Sequence, residues 1–336
     1  MNNSETLRKL REPGQAFCPY LFLHYHLDTD KKSKLCCHTQ SSIADGPVDF
    51  GGSLYKNLRN KVLDNQKLSH CTKCYQAEAD GYTSLRQRTI DDVHHRRDIL
   101  FDQIEKHNLG LKIEPLWYDL RVSNNCNLSC IMCGPKYSST WAKETDEDTV
   151  HLTHEPEVKI ATNAFKIQLA GGEPFMIKSF ARMLEKIDNV DCEIVVNTNA
   201  TIVTAPLLAQ LKRFKNVWIV ISLDGYGELN NQIRRGSDWN TIVKNIKLFI
   251  DCGFEVLVNT VLQRDNVNHL YDLGMFIQSL GINDWIISPL YDPLHLHWQQ
   301  QQNITYENIE KTIELRSIQR NENSLSLLTH ILKERP

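Results

Sequence analysis

The chain has 336 residues, 41% hydrophobic and 24% charged, which is the composition of a folded soluble protein of about two domains and argues against wholesale disorder. Its 38 basic and 41 acidic side chains leave a net charge of −3, too balanced for a protein whose main partner is a bare phosphate backbone, so non-specific nucleic-acid binding is not expected. No apolar run approaches the roughly 18–20 residues of a membrane helix, and MNNSETLRKLREPG lacks a signal peptide's apolar stretch, so the expectation is a cytoplasmic protein without membrane partners.

The first 110 residues hold Cys18, Cys36, Cys37, Cys71 and Cys74, half of the chain's 10 cysteines. Cytoplasmic thiols stay reduced, so their spacing is read for metal binding before disulfides. Cys71-Thr-Lys-Cys74 with two distant thiols supplies four ligands, enough for structural zinc or for a fully ligated iron–sulfur cluster. Adjacent side chains point in different directions, so only one of Cys36 and Cys37 joins the set. The reading adopted is Cys18, Cys37, Cys71 and Cys74, with Cys36 spare. Short apolar runs broken by Asp45-Gly46-Pro47 and Gly51-Gly52 fit a small metal-stapled domain over 1–110. The segment 80–107, with RQR and HHRRD inside it, reads as a polar linking helix with a solvated charged face.

From Leu116 on, apolar and β-branched runs alternate with amphipathic segments, the pattern of βα units and a parallel sheet. Strands are predicted at 116–123, 165–170, 192–198, 217–223, 254–262 and 284–290, with helices starting near Lys136, Ile177, Ala205, Trp239 and Val267. Six strands are too few for a closed eight-unit barrel, leaving a partial (βα)6 barrel or an open doubly wound sheet over 111–300. In either, loops at the strand C-termini hold the site. Residues 301–336 read as a helical extension.

Directly after the first of these strands, Cys126-Asn-Leu-Ser-Cys130-Ile-Met-Cys133 sends three thiols from one loop to the sheet's C-terminal edge. Iron–sulfur cubes usually take four thiolates, so a compact trio leaves one iron with an open position, as a catalytic zinc site keeps one for substrate. Zinc in this loop would need a fourth ligand from elsewhere. After the second strand comes Gly171-Gly172-Glu173-Pro174, whose glycines permit close backbone approach and whose Glu173 offers an acceptor for an ammonium group. Asn199 follows the third strand, Ser222 and Asp224 end the fourth, Arg234 lies just beyond, and Gln263 and Asn266 follow the fifth. Cys192 and Cys252 stand alone and read as structural. His295 and His297 either line a pocket or lie at the surface, the latter favoured among 13 histidines.

The loop's cysteine spacing resembles that of the radical S-adenosylmethionine (SAM) superfamily, and the resemblance extends over about residues 115–290. It implies a partial (βα)6 TIM-like barrel and a [4Fe-4S] cluster on Cys126, Cys130 and Cys133. It further implies SAM bound at the open iron, with Gly171, Gly172, Glu173 and Pro174 meeting its amino group. Ser222, Asp224 and Arg234 would meet its carboxylate and ribose, with Asn199 in a turn lining the pocket. Met132 stands where the family commonly has an aromatic residue. The early cysteines resemble the auxiliary-cluster modules called twitch and SPASM, here N-terminal to the barrel, which implies a second [4Fe-4S] cluster. The implied activity is reductive SAM cleavage to a 5'-deoxyadenosyl radical that abstracts hydrogen from a peptide or protein side chain, with a small molecule or nucleotide as the alternative substrate. A flavodoxin or ferredoxin is the implied reductant.

Overall fold

Strand β1 (His24–Leu27) follows a helical turn and pairs antiparallel with β2 (Ser33–Lys34) and parallel with β3 (Trp117–Leu120). The register sets His24 beside Trp117 and His26 beside Asp119. Side chains alternate across a strand, so these four share one face, and that face is polar and buried. β1 is only His-Tyr-His-Leu and β2 only two residues, too short for an alternation to stand out, so neither was among the expected elements. The computed structural model describes residues 3–39, 41–147, 158–290 and 293–335. It divides into two compact units, Met1–Val122 with Pro156–Gln168 and Ile187–Asn189, and Ser123–Glu155 with Leu169–Lys186 and Val190–Pro336.

In the first unit the expected linking helix is two helices, Leu85–Asp92 and Arg97–Asn108, joined by a 3-10 turn at His94–Arg96. A capping box between Ser84 and Gln87 starts the first of them. Its Arg86 is not on a solvated face. It is buried, paired with Glu78 at 2.8 Å, and donates to the carbonyls of Leu10, Phe17, Arg11 and Glu12. The unit boundary falls at Val122 rather than near residue 110, because β3 is hydrogen-bonded to β1.

The strand β4 (Lys166–Leu169) precedes the Gly-Gly turn. In the second unit β5 (Glu193–Thr198), β6 (Val217–Ser222), β7 (Glu255–Leu262) and β8 (Asp284–Pro289) pair in parallel in sequence order. The fold is α/β with mostly parallel strands, as expected. Along β6 and β7 fully buried residues alternate with half-buried ones. One face is apolar core, and the other carries Ser222 in register with Asn259, to whose Oδ1 the Ser288 hydroxyl donates at 3.3 Å. Helix Trp239–Asp251 presents Ile242, Ile246 and Phe249 at helical spacing, all buried. Each such side chain contributes about 1.5–3 kcal/mol when taken from water. The C-terminal residues belong to this unit: Ile287 N–H donates to Ser324 Oγ at 2.8 Å, tying helix Glu322–Lys333 to β8.

Candidate active site

The loop after Ser123 is shaped by hydrogen bonds rather than by regular structure. Ser139 Oγ accepts from Cys126 N–H at 3.1 Å, Thr140 donates to the Cys126 carbonyl at 2.7 Å, and the Trp141 indole donates to the Cys130 carbonyl at 2.7 Å. Ser129 and Ile131 donate their N–H groups to the carbonyls of Arg235 and Ile233. These bonds fix the three cysteines on one loop. Burial raises all three thiols, Cys126 to about 12 and Cys130 to about 11, while the Leu128 and Gly134 N–H groups and Arg234 act against it. Thiols raised this far become thiolates only beside strong positive charge, which bound metal supplies. Among the described residues no three cysteine sulfurs lie within 4.8 Å of one another.

The Gly-Gly turn lies directly against this loop. Gly172 has φ +48°, and a Cβ there would stand 2.3 Å from the Asn125 carbonyl oxygen. The neighbouring Glu173 N–H donates to that same oxygen at 2.7 Å, so the second glycine is a contact requirement. Glu173 itself departs from expectation. It is fully buried, and its carboxylate accepts from the Thr198 hydroxyl at 2.7 Å and from the Phe175 and Asn199 N–H groups at 3.1 and 2.8 Å. Its oxygens are thus committed within the protein and do not await an ammonium group. Burial pushes this carboxyl up to about 7, with the three hydrogen bonds acting against the rise. Pro174 opens the 3-10 turn Pro174–Met176.

Asn199 lies beside the cysteine loop and closes its own turn. Its Nδ2 donates to Asn127 Oδ1 at 3.1 Å and lies 3.9 Å from Cys126 Sγ, while its Oδ1 accepts from Thr201. Asp224 is fully buried and turned away from any pocket: Oδ1 accepts from Val261 N–H, and Oδ2 forms a 2.7 Å ion pair with Arg234, out of line for a hydrogen bond. A SAM-contacting role for Asp224 is thereby corrected to one of holding Arg234. Arg234 Nη1 is 3.9 Å from Cys130 Sγ, and its Nε is buried without a partner. Asp224 and the three cysteines keep this guanidinium charged against the cost of burial. A buried cation with an unpaired N–H, and with Nη1 beside one of the three thiols, fits an anionic cluster or a carboxylate.

The Radical SAM superfamily model matches residues 120–277. That stretch is a radical SAM domain. The cofactors of such domains are a [4Fe-4S] cluster and SAM, in keeping with the donor set of the loop. The chain is 27% identical over 194 residues to a GTP 3',8-cyclase of Staphylococcus epidermidis, covering 52% of this chain and 49% of that one. It is 24% identical over 161 residues to the sporulation killing factor maturation protein SkfB of Bacillus subtilis, covering 47% and 38%. Streptococcus suis SuiB is a structural neighbour with TM-score 0.45 and 14% identity, over 84% of this chain and 60% of that one. The chain spans about half the length of the curated relatives it matches.

Within the radical SAM domain, Ser222 ends β6 half-buried, and its hydroxyl has no partner among the described residues. Gln263 is fully buried with both side-chain polar atoms unpartnered, whereas Asn266 beside it is used up by Asp224, Val261 and Gln263 main chain. An unpaired buried amide costs about 1–3 kcal/mol unless a ligand or water answers it, which lifts Gln263 above its weak standing in the sequence. Cys192 is buried before β5, and Cys252 caps helix Trp239–Asp251. His295 is exposed.

In the first unit Cys18, Cys36, Cys71 and Cys74 line one pocket, with Tyr20, His38 and Arg86. Cys37 is not in that lining and instead lies in the field of Arg121 and Asp119, so the expected set is corrected at this position from Cys37 to Cys36. Burial raises the Cys18, Cys36 and Cys74 thiols and takes Cys71 to about 12, with neighbouring thiols adding to the rise at Cys18, Cys36 and Cys71. Cys71 and Cys74 sit at the start of helix Thr72–Ala79, where the helix dipole favours negative charge. Among the described residues no helix is long and apolar enough to cross a membrane.

Proposed function

We propose that the protein is a radical SAM enzyme that abstracts a hydrogen atom from a peptide or protein side chain in the cytoplasm, with a flavodoxin or ferredoxin as reductant. The observation that carries the reading is the Cys126–Cys130–Cys133 loop facing the charged, partly unpaired Arg234. When bound, the [4Fe-4S] cluster and SAM supply one-electron cleavage of the sulfonium and a carbon radical that takes the hydrogen. The chain holds the cluster with the three cysteines, and Arg234, oriented by Asp224, faces the SAM carboxylate together with Ser222. Main-chain carbonyls of the Gly171–Pro174 turn meet the amino group, since the Glu173 carboxylate is committed inward. Asn199 and Gln263 line the remaining pocket.

A second [4Fe-4S] cluster on Cys18, Cys36, Cys71 and Cys74 completes the proposal. Four thiols lining one pocket support it. A peptide substrate is supported by the likeness to SkfB, a maturation protein by name. The likeness to a GTP 3',8-cyclase favours a nucleotide as the second reading.

The test is anaerobic reconstitution of wild type beside the C126A/C130A/C133A variant, with iron counted and 5'-deoxyadenosine assayed from SAM and dithionite. Two cubes require about eight irons in the wild type, with about half retained by the variant and its 5'-deoxyadenosine lost. A fully loaded wild type that neither binds nor cleaves SAM overturns the reading. Offering peptides and nucleoside triphosphates in parallel, and following which raises SAM cleavage, decides the substrate class.

A further inference from the structure

A second group of metal-ligating side chains lies in the first unit and shares no residue with either cysteine set. His26 Nδ1 is 2.9 Å from Asp119 Oδ2, and ligand atoms of His24, His26 and Asp119 all lie within 4.8 Å of one another. The three are buried, at 2%, 1% and 3% exposure. The strands dictate the convergence. Parallel pairing sets His26 beside Asp119, and the two-residue repeat returns His24 to the same face.

The surroundings of each residue favour ligation. His24 Nδ1 faces the Leu35 carbonyl at 3.3 Å, which places the proton there and leaves Nε2 as a lone pair, the arrangement that orients metal-binding histidines. Burial also keeps the ring neutral, its pKa pushed down to about 3. Burial acts to raise Asp119, but Arg121 and His26 overcome it and hold the carboxyl well below the usual range, so a ligating carboxylate is present. Arg121 approaches both oxygens only loosely, at 3.4 and 3.5 Å.

We propose that His24, His26 and Asp119 form a binding site for a divalent transition metal, with two imidazole nitrogens and one carboxylate oxygen as ligands. Two ligand atoms at about 2.0–2.1 Å from a tetrahedral ion stand about 3.3–3.4 Å apart, so Nδ1 and Oδ2, now 2.9 Å apart, need open by only a few tenths of an ångström to share one. The N2O donor set selects zinc, iron(II) or cobalt(II) over magnesium and calcium, which take oxygen ligands. Binding at Nδ1 replaces the His26–Asp119 hydrogen bond with two bonds to the ion and leaves the ring N–H on Nε2. The competing arrangement is a His–Asp–Arg network held by hydrogen bonds alone.

The probe is zinc, offered to the full chain already loaded with iron and sulfide and stripped of other metal by chelation. Zinc content and zinc-edge X-ray absorption are then measured. The expected result is one zinc per chain with a nitrogen and oxygen first shell at about 2.0–2.1 Å and no sulfur at about 2.3 Å. His24→Gln and His26→Gln each weaken zinc binding at least about tenfold while iron content holds. No retained zinc, sulfur in its first shell, or unchanged uptake in both variants overturns the proposal. If a variant also loses iron, the wild-type first shell decides alone. The result is independent of SAM chemistry, so failure here leaves the proposed function standing.

Discussion

Glu173 shows how a single side chain changes meaning between sequence and structure. In the sequence it is an acceptor beside two glycines; in the fold it is a buried clamp between the Gly-Gly turn and the end of β5. Its pKa rises from 4.5 to about 7, chiefly through burial. The folded state therefore holds a proton that the unfolded chain has released between those values, and stability from this group falls as pH rises through that window. Glu173→Gln does not ionise and lacks this slope. The stability advantage of wild type over the variant should shrink by about 3 kcal/mol from pH 4.5 to 7, read by denaturant unfolding at each pH. The Asp224–Arg234 pair yields a second expectation. Asp224→Asn leaves a buried guanidinium without its counter-ion, a loss of about 3–5 kcal/mol. The D224N/R234M double variant should be less destabilised than D224N alone, because it leaves no unpaired charge. Thermal melts of the three proteins check the order, with SAM affinity lost in both variants.

At the scale of elements, the contact between the Gly-Gly turn and the cysteine loop is the most sensitive. Gly172→Ala forces a methyl group against main chain at φ +48°, and main chain has no rotamer with which to yield. The loop must shift, so the variant should lose most of the iron bound by Cys126, Cys130 and Cys133, while Gly110→Ala, equally strained at φ +74° but with nothing within 4 Å of its Cβ and remote in sequence from the loop, keeps it. Iron content of the two purified proteins is the measurement. The six expected strands of the βα region were legible because β-branched runs alternate with helical patterns, and Trp239 and Ala205 start helices as their spacing predicts. Helix Glu228–Ile233 was not legible, since ELNNQI has no apolar stripe. Strand β1 stayed hidden for a related reason. His24 and His26 are buried by pairing with polar partners, and the hydrophobic pattern records burial only where it is apolar.

For the molecule as a whole, the sequence marked two regions by cysteine density and βα alternation, but not where they divide. Pairing of β3 with β1 moves the boundary to Val122, and the bond from Ile287 of β8 to Ser324 draws the C-terminal helices into the second unit. Such long-range pairings leave no local trace in the chain. The same limit applied to Cys36 and Cys37: spacing required that they diverge, and only the fold says which way each turns. Cys36 lines the cavity with Cys18, Cys71 and Cys74, and Cys37 lies toward Arg121 and Asp119. Iron stoichiometry reads this choice across the entire protein. From about eight irons for two cubes, Cys36→Ala should fall to about half, and the iron it keeps should still support SAM cleavage. Cys37→Ala should keep the full complement. The opposite pattern would return the fourth ligand to Cys37, and equal, full loading in both variants would mean that no cube is held by this quartet.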